Sequence, residues 1–205
     1  YSPETDLTAI REIDRRFREL SEGLLRAQTA FDYGDESLIA EYGKVENGQL
    51  VIGKQSYSAV VLCDCRSLRE TTRSLLVDLS RPPLLLGRTP EGLSGESVDT
   101  PSLILEFSAR VVSFSEENGE EVHPSPGASG ALAVTRAYSG GRALILCNTE
   151  DRRIRFRLRD PAFCRVLDCM RGISFPLPGG EGILEPWGSA VLIDGPMLSD
   201  WTEGD

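Results

Sequence analysis

The chain has 205 residues with 22 basic against 32 acidic side chains, a formal net charge of −10, and 40% hydrophobic but only 7% aromatic content. That fits one ordinary or two small globular domains and excludes a globally cationic surface of the kind that condenses on nucleic acid or anionic lipid. No apolar run approaches the ~20 residues that cross a bilayer, and no basic region followed by an apolar segment opens the chain, so the expectation is a cytoplasmic protein with no nucleic-acid and no membrane partner.

Residues 4–28 form the first predicted element. Leu7, Ile10, Ile13, Phe17, Leu20 and Leu24 recur at spacings of three and four, one stripe of an amphipathic helix. Ser2 before Pro3 reads as an N-cap with proline at the first helical position, and Glu4 and Asp6 suit the positive end of the helix dipole. The stripe is expected to be buried against a sheet. Asp35 then caps a short helix through Leu38, Ile39 and Tyr42, which Gly43 is expected to end in the left-handed conformation. Asn47-Gly48 between apolar flanks is a hairpin signal.

Residues 57–63 read as a strand buried on both faces, residues 67–79 as a helix carrying Leu68, Leu75, Leu76 and Leu79, and residues 83–87 as a second buried strand. Strand, helix and strand in about 30 residues make a βαβ unit. Residues 88–102, rich in Gly, Pro, Ser and Thr, read as a loop or linker, and Leu103-Ile104-Leu105 fits either strand or helix. A turn at residues 117–120 and a loop at 124–130 follow Val111, Val112 and Phe114. From there short strands are predicted at residues 131–138, 142–147, 153–158, 164–168, 173–177 and 189–193, separated by glycine-containing and polar turns. Residues 196–205, with Trp201, read as a loosely docked tail.

Cys63, Cys65, Cys147, Cys164 and Cys169 are odd in number and offer no C-x-x-C pair, and His123 is the lone histidine, so reduced, mostly buried thiols are expected and no metal is assigned. Cys63 and Cys65 lie between a strand and a helix, where some α/β enzymes place a nucleophile. Leu62 to Arg66 lacks the small residues of a nucleophile elbow, however, which leaves a thiol-dependent amidase as the weakest of three functional readings. Asp32, Asp35 and Glu36 cluster in one loop, and helix capping explains Asp35 without chemistry. The glycine pairs at 140–141 and 179–180 join strands rather than cradle phosphate, and no cofactor is implied.

Arg153, Arg155, Arg157 and Arg159 alternate with Ile154, Phe156 and Leu158, which puts four guanidinium groups on one face at intervals of about 7 Å. Acidic cross-strand neighbours on a solvated face would account for them, as would an acidic sugar or another polyanion. Trp187, before the last strand, either packs the end of a sheet or serves as a stacking platform for a sugar ring. Trp187, Arg153, Arg155 and Arg157 are therefore the candidate carbohydrate-binding residues.

The run Phe31-Asp32-Tyr33-Gly34-Asp35-Glu36, continued by Gly43-Lys44-Val45, Gly48-Gln49-Leu50, Ile52-Gly53, Tyr57 and Val60-Val61-Leu62, resembles the accessory α/β domain of rhamnosidase-type glycoside hydrolases. In those enzymes a glutamine-amidotransferase-like domain follows the catalytic barrel. Residues 143–149, ending in Asn148-Thr149, Val166-Leu167-Asp168 with Arg171-Gly172, and residues 184–189 around Pro186-Trp187-Gly188 resemble the closing β-sandwich of the same enzymes. The resemblance implies an incomplete flavodoxin-like (glutamine-amidotransferase-like) α/β domain at residues 1–102, an antiparallel β-sandwich at 103–198 and a tail at 199–205. It further implies a non-catalytic accessory or structural module related to the C-terminal part of a glycoside hydrolase, with a carbohydrate-binding module as the alternative. No catalytic residue carries over, because the carboxylates of such enzymes lie in a barrel of roughly 200 residues or more with no counterpart here. An upstream catalytic domain or a homo-oligomer is expected to cover the first helix and the sheet edge, and carbohydrate is a possible ligand.

Overall fold

In the computed structural model, which describes residues 3–116, 119, 130–138 and 140–195, the chain is a mixed α and β protein with several antiparallel sheets. Ser2, His123, Trp201, most of the turn at 117–120, nearly all of the loop at 124–130 and the tail lie outside those residues. The chain divides into two compact units, one of residues 1–20 and 32–106, the other of residues 21–31 and 107–205.

The first unit opens with most of helix α1 (Pro3–Arg26), which is two residues shorter at its end than its pattern predicts. Its stripe is only partly buried: Leu20 and Leu24 are enclosed, whereas Leu7, Ile10 and Phe17 are exposed, contrary to expectation. Periodicity identifies a face; it does not say how far along the axis that face is covered. Helix α2 (Glu36–Tyr42) is capped by Asp35, whose carboxylate accepts from the N–H groups of Ser37 (2.8 Å) and Leu38 (3.1 Å). Gly43 is extended (φ −81°), not left-handed. Its lack of a side chain matters for another reason, since a Cβ there would lie 2.3 Å from the Ile39 carbonyl oxygen.

Strands β1 (Gly43–Glu46) and β2 (Gln49–Ile52) form the hairpin expected from Asn47-Gly48, both of which adopt positive φ as a type I′ turn requires. The single strand expected at 57–63 is two. β3 (Gln55–Tyr57) pairs antiparallel with β2, and β4 (Val61–Cys63) starts a separate parallel sheet and is only half-buried. Helix α3 (Glu70–Val77) crosses to β5 (Leu84–Leu86), which is wholly buried and parallel to β4. Beyond β5 the expected linker holds a short third parallel strand, β6 (Glu96–Ser97), and the start of helix α4 (Thr100–Phe107), which settles residues 103–105 as helical. Leu76, Leu85 and Leu93 centre the small core, with Val60, Leu62, Leu68 and Leu79 packed on it.

In the second unit β7 (Val112–Ser115), β8 (Ala131–Tyr138), β9 (Gly141–Asn148), β10 (Ile154–Leu158), β11 (Arg165–Asp168), β12 (Ile173–Pro176), β13 (Glu181–Leu184) and β14 (Ser189–Ile193) make two antiparallel sheets, ordered β13-β10-β7 and β12-β11-β14-β9-β8. Phe114, Ile154, Phe156 and Leu184 from the first sheet and Ala133, Leu144, Leu146 and Leu192 from the second belong to one buried cluster, with Phe163. Six of these strands stand where alternation places them. β13 escapes sequence reading because Gly182 interrupts its pattern. The glycine sits opposite Phe156 with its Cβ position 2.6 Å from the Phe156 ring, so the ring fills the space a side chain would take.

Candidate functional site

Two places hold side chains that sequence reasoning singled out, one in each unit. The first lies at the carboxyl ends of β4 and β5, the end of a parallel sheet at which α/β proteins place their ligands. Cys63 and Cys65 are there, half-buried, but the residue at the sharp turn is Asp64, with φ +47°. Its carboxylate is buried and accepts from Arg16 Nη1 through both oxygens, each at 3.2 Å, and from the Arg88 N–H at 3.0 Å, while its own N–H donates to the Leu86 carbonyl. Gly87 (φ +78°) makes room for this clamp: a Cβ there would come within 2.5 Å of both Arg16 Nη1 and Asp64 Oδ1.

Burial pushes both thiols up, helped for Cys63 by the Asp64 carboxylate and for Cys65 by Glu36. A catalytic cysteine needs the opposite shift. All five cysteines are free. Cys164 and Cys169 are exposed rather than buried: they flank β11 (Arg165–Asp168) at its two ends, outside the strand's own residues. The loop carboxylates are structural: Asp32 accepts from the Tyr57 hydroxyl (2.9 Å), Asp35 caps α2, and Glu36 accepts from the N–H of Arg69 (2.8 Å), the residue that precedes α3.

The second place is one end of the β13-β10-β7 sheet. Ile154 and Phe156 point inward and Arg153, Arg155, Arg157 and Arg159 outward, as the alternation requires. Arg153 pairs with Glu185 (2.9 Å) and Arg157 with Glu181 (2.7 Å), so two of the four charges are matched across the strand pair. Arg155 faces Ile183 on β13 and Ser115 on β7 and forms no ion pair among the described residues.

Trp187 stands in the turn Glu185-Pro186-Trp187-Gly188, closed by the Gly188 N–H donating to the Glu185 carbonyl (2.8 Å). Pro186 suits the second position of such a turn and a left-handed residue the third, a place usually given to glycine or asparagine. Here it is tryptophan, with φ +57° and 70% of its surface exposed. Holding a bulky residue in that region costs about 1–3 kcal/mol.

Asn148 braces the turn from beneath. Its buried side-chain amide donates to the carbonyls of Arg152 (2.6 Å) and Glu185 (3.0 Å) and accepts from the Glu150 N–H (3.0 Å), its own N–H donates to the Gly188 carbonyl, and the Trp187 N–H donates to Glu150 (3.0 Å). The strand ending in Asn148-Thr149 and the Pro186-Trp187-Gly188 turn are thus one hydrogen-bonded structure, which sequence spacing alone could not reveal. Likewise Asp168 accepts from the N–H groups of Met170 and Arg171, and Gly172 takes positive φ, to close the β11–β12 hairpin. Among the described residues no cluster of metal ligands occurs and no helix is long and apolar enough to cross a membrane.

No protein-family model and no curated protein sequence matches the chain. Among solved structures it is similar to that of the rhamnosidase from Novosphingobium sp. PP1Y, with a TM-score of 0.51 and 15% sequence identity over 83% of this chain. The alignment spans only 20% of the rhamnosidase, so what the two share is a fold, and the chain stands in weak structural relation to one part of a glycoside hydrolase.

Proposed function

We propose that the chain is a non-catalytic accessory module of the kind found beside the catalytic part of a glycoside hydrolase, built as an incomplete flavodoxin-like domain and an antiparallel β-sandwich. One observation carries this: 83% of the chain superposes on a stretch amounting to one-fifth of a rhamnosidase. Three parallel strands with one helical crossover, β4-α3-β5 followed by β6, support the flavodoxin-like half. Two antiparallel sheets that contribute to a single buried cluster support the sandwich half.

The position that would carry a nucleophile in the α/β half holds Asp64, immobilised by Arg16 and the Arg88 N–H, so its carboxylate is committed to structure. The flanking thiols, shifted upward by burial, lend no support to a thiol-dependent amidase. The purified chain is expected to leave a panel of aryl-glycosides, aryl α-rhamnosides included, uncleaved. Steady release of the phenol at a rate proportional to protein, abolished by replacing a pair of carboxylates in the chain, would refute the proposal.

A further inference from the structure

The Trp187 turn combines three features that together point away from a role in internal packing. Its indole is mostly in solvent, its backbone is in a conformation that disfavours a large side chain, and the turn beneath it is rigid. A tryptophan that served the core would be enclosed; one that served the turn would be better as glycine. We infer that Trp187, with the neighbouring Arg153–Glu185 pair, forms a surface subsite for a neutral sugar ring.

The chemistry fits that class. An indole face receives the C–H face of a pyranose, an apolar surface meeting an apolar surface. Glu185 belongs to the turn itself, and Arg153, the residue before β10, is held against it by the 2.9 Å ion pair. The pair, exposed to solvent on both sides, offers paired donors and acceptors at the turn that carries the indole, the kind of groups that vicinal hydroxyls engage. Because the Arg153 charge is already matched by Glu185, and that of Arg157 by Glu181, neither has an unmet demand for a sugar carboxylate. A chain of net charge −10 repels polyanions further. Arg155 lies about 7 Å along the same face beside half-exposed Ile183, so a second ring of an oligosaccharide would meet a donor and an apolar surface there. The inference draws on the proposed module only for the choice of ligand class.

The test is a titration of the isotope-labelled chain, following the indole N–H resonance that Trp187→Phe assigns. The probes are methyl α-rhamnoside, cellohexaose, xylohexaose and maltohexaose, with trigalacturonate as the anionic arm. A saturable shift is expected with at least one neutral sugar at a dissociation constant of roughly 1 mM. Trp187→Gly is expected to lose that binding and yet raise the melting temperature, because glycine takes the left-handed conformation freely. Arg153→Ala is expected to weaken binding severalfold. No saturable shift with any sugar, a response to trigalacturonate alone, or a lower melting temperature for Trp187→Gly would each overturn the inference. Cleavage of aryl-glycosides would refute the proposed function and leave the binding result standing, so the two failures are separable.

Discussion

Asp64 and Trp187 occupy equivalent local predicaments, each a non-glycine residue held at positive φ in a tight turn at the end of a strand or beside one, and they resolve them in opposite ways. The Asp64 carboxylate is enclosed and its acceptor capacity is used by Arg16 and Arg88. Its strain is offset by its own contacts. Trp187 has a braced backbone but a side chain mostly in solvent, so little of it is enclosed to offset the cost. Gln28 follows the Asp64 pattern: at φ +60° it is buried, and its amide donates to the Val112 carbonyl (2.7 Å) and accepts from the Val112 N–H (3.1 Å). Strain compensated inside the fold marks architecture; at Trp187 the strain goes with a bulky, exposed aromatic side chain, which is what motivates the proposed sugar subsite. Exposure alone does not, since Arg110 (φ +43°) is exposed as well.

The largest effect should come from Asn148→Ala, which strands the Glu150 N–H and the carbonyls of Arg152 and Glu185. A loss of about 3 kcal/mol is expected in urea unfolding, together with a displaced Trp187 indole resonance. A loss below about 1 kcal/mol would mean that the turn is not braced as described. Next, Asp64→Ala should cost about 2 kcal/mol, since Arg16 is partly exposed and recovers some hydration. Asp64→Gly should cost about 1 kcal/mol less than Asp64→Ala, the difference measuring the backbone strain. Trp187→Gly should reverse the sign and gain about 1 kcal/mol, because little of the side chain is enclosed and glycine takes the left-handed conformation freely. If both glycine variants shift stability in the same direction, the contrast between the two turns fails. The smallest effect is one of rate. Iodoacetamide at neutral pH should modify Cys164 and Cys169 before Cys63 and Cys65, whose thiols burial pushes up, with the lag shrinking as pH rises. Peptide mass spectrometry over time would read it, and early labelling of Cys63 or Cys65 would reopen thiol chemistry.

Wherever pattern and local geometry coincide, the amino-acid sequence determined the outcome alone. Alternation placed six strands of the second unit, Asn47-Gly48 specified its hairpin, Asp35 specified its cap, and the outward set from Arg153 to Arg159 followed from a period of two. Tertiary structure decided what those patterns meet. It divided residues 57–63 between two sheets, left Leu7 and Ile10 uncovered, and hid β13 behind a glycine that makes room for Phe156. It also put Asp64, rather than Cys63 or Cys65, at the turn, and brought Asn148 beneath Trp187 from nearly forty positions away along the chain. The reason is one of range: periodicity and turn propensity act over a few residues, whereas burial, ion pairing and the enclosure of a strained turn depend on neighbours that only folding supplies.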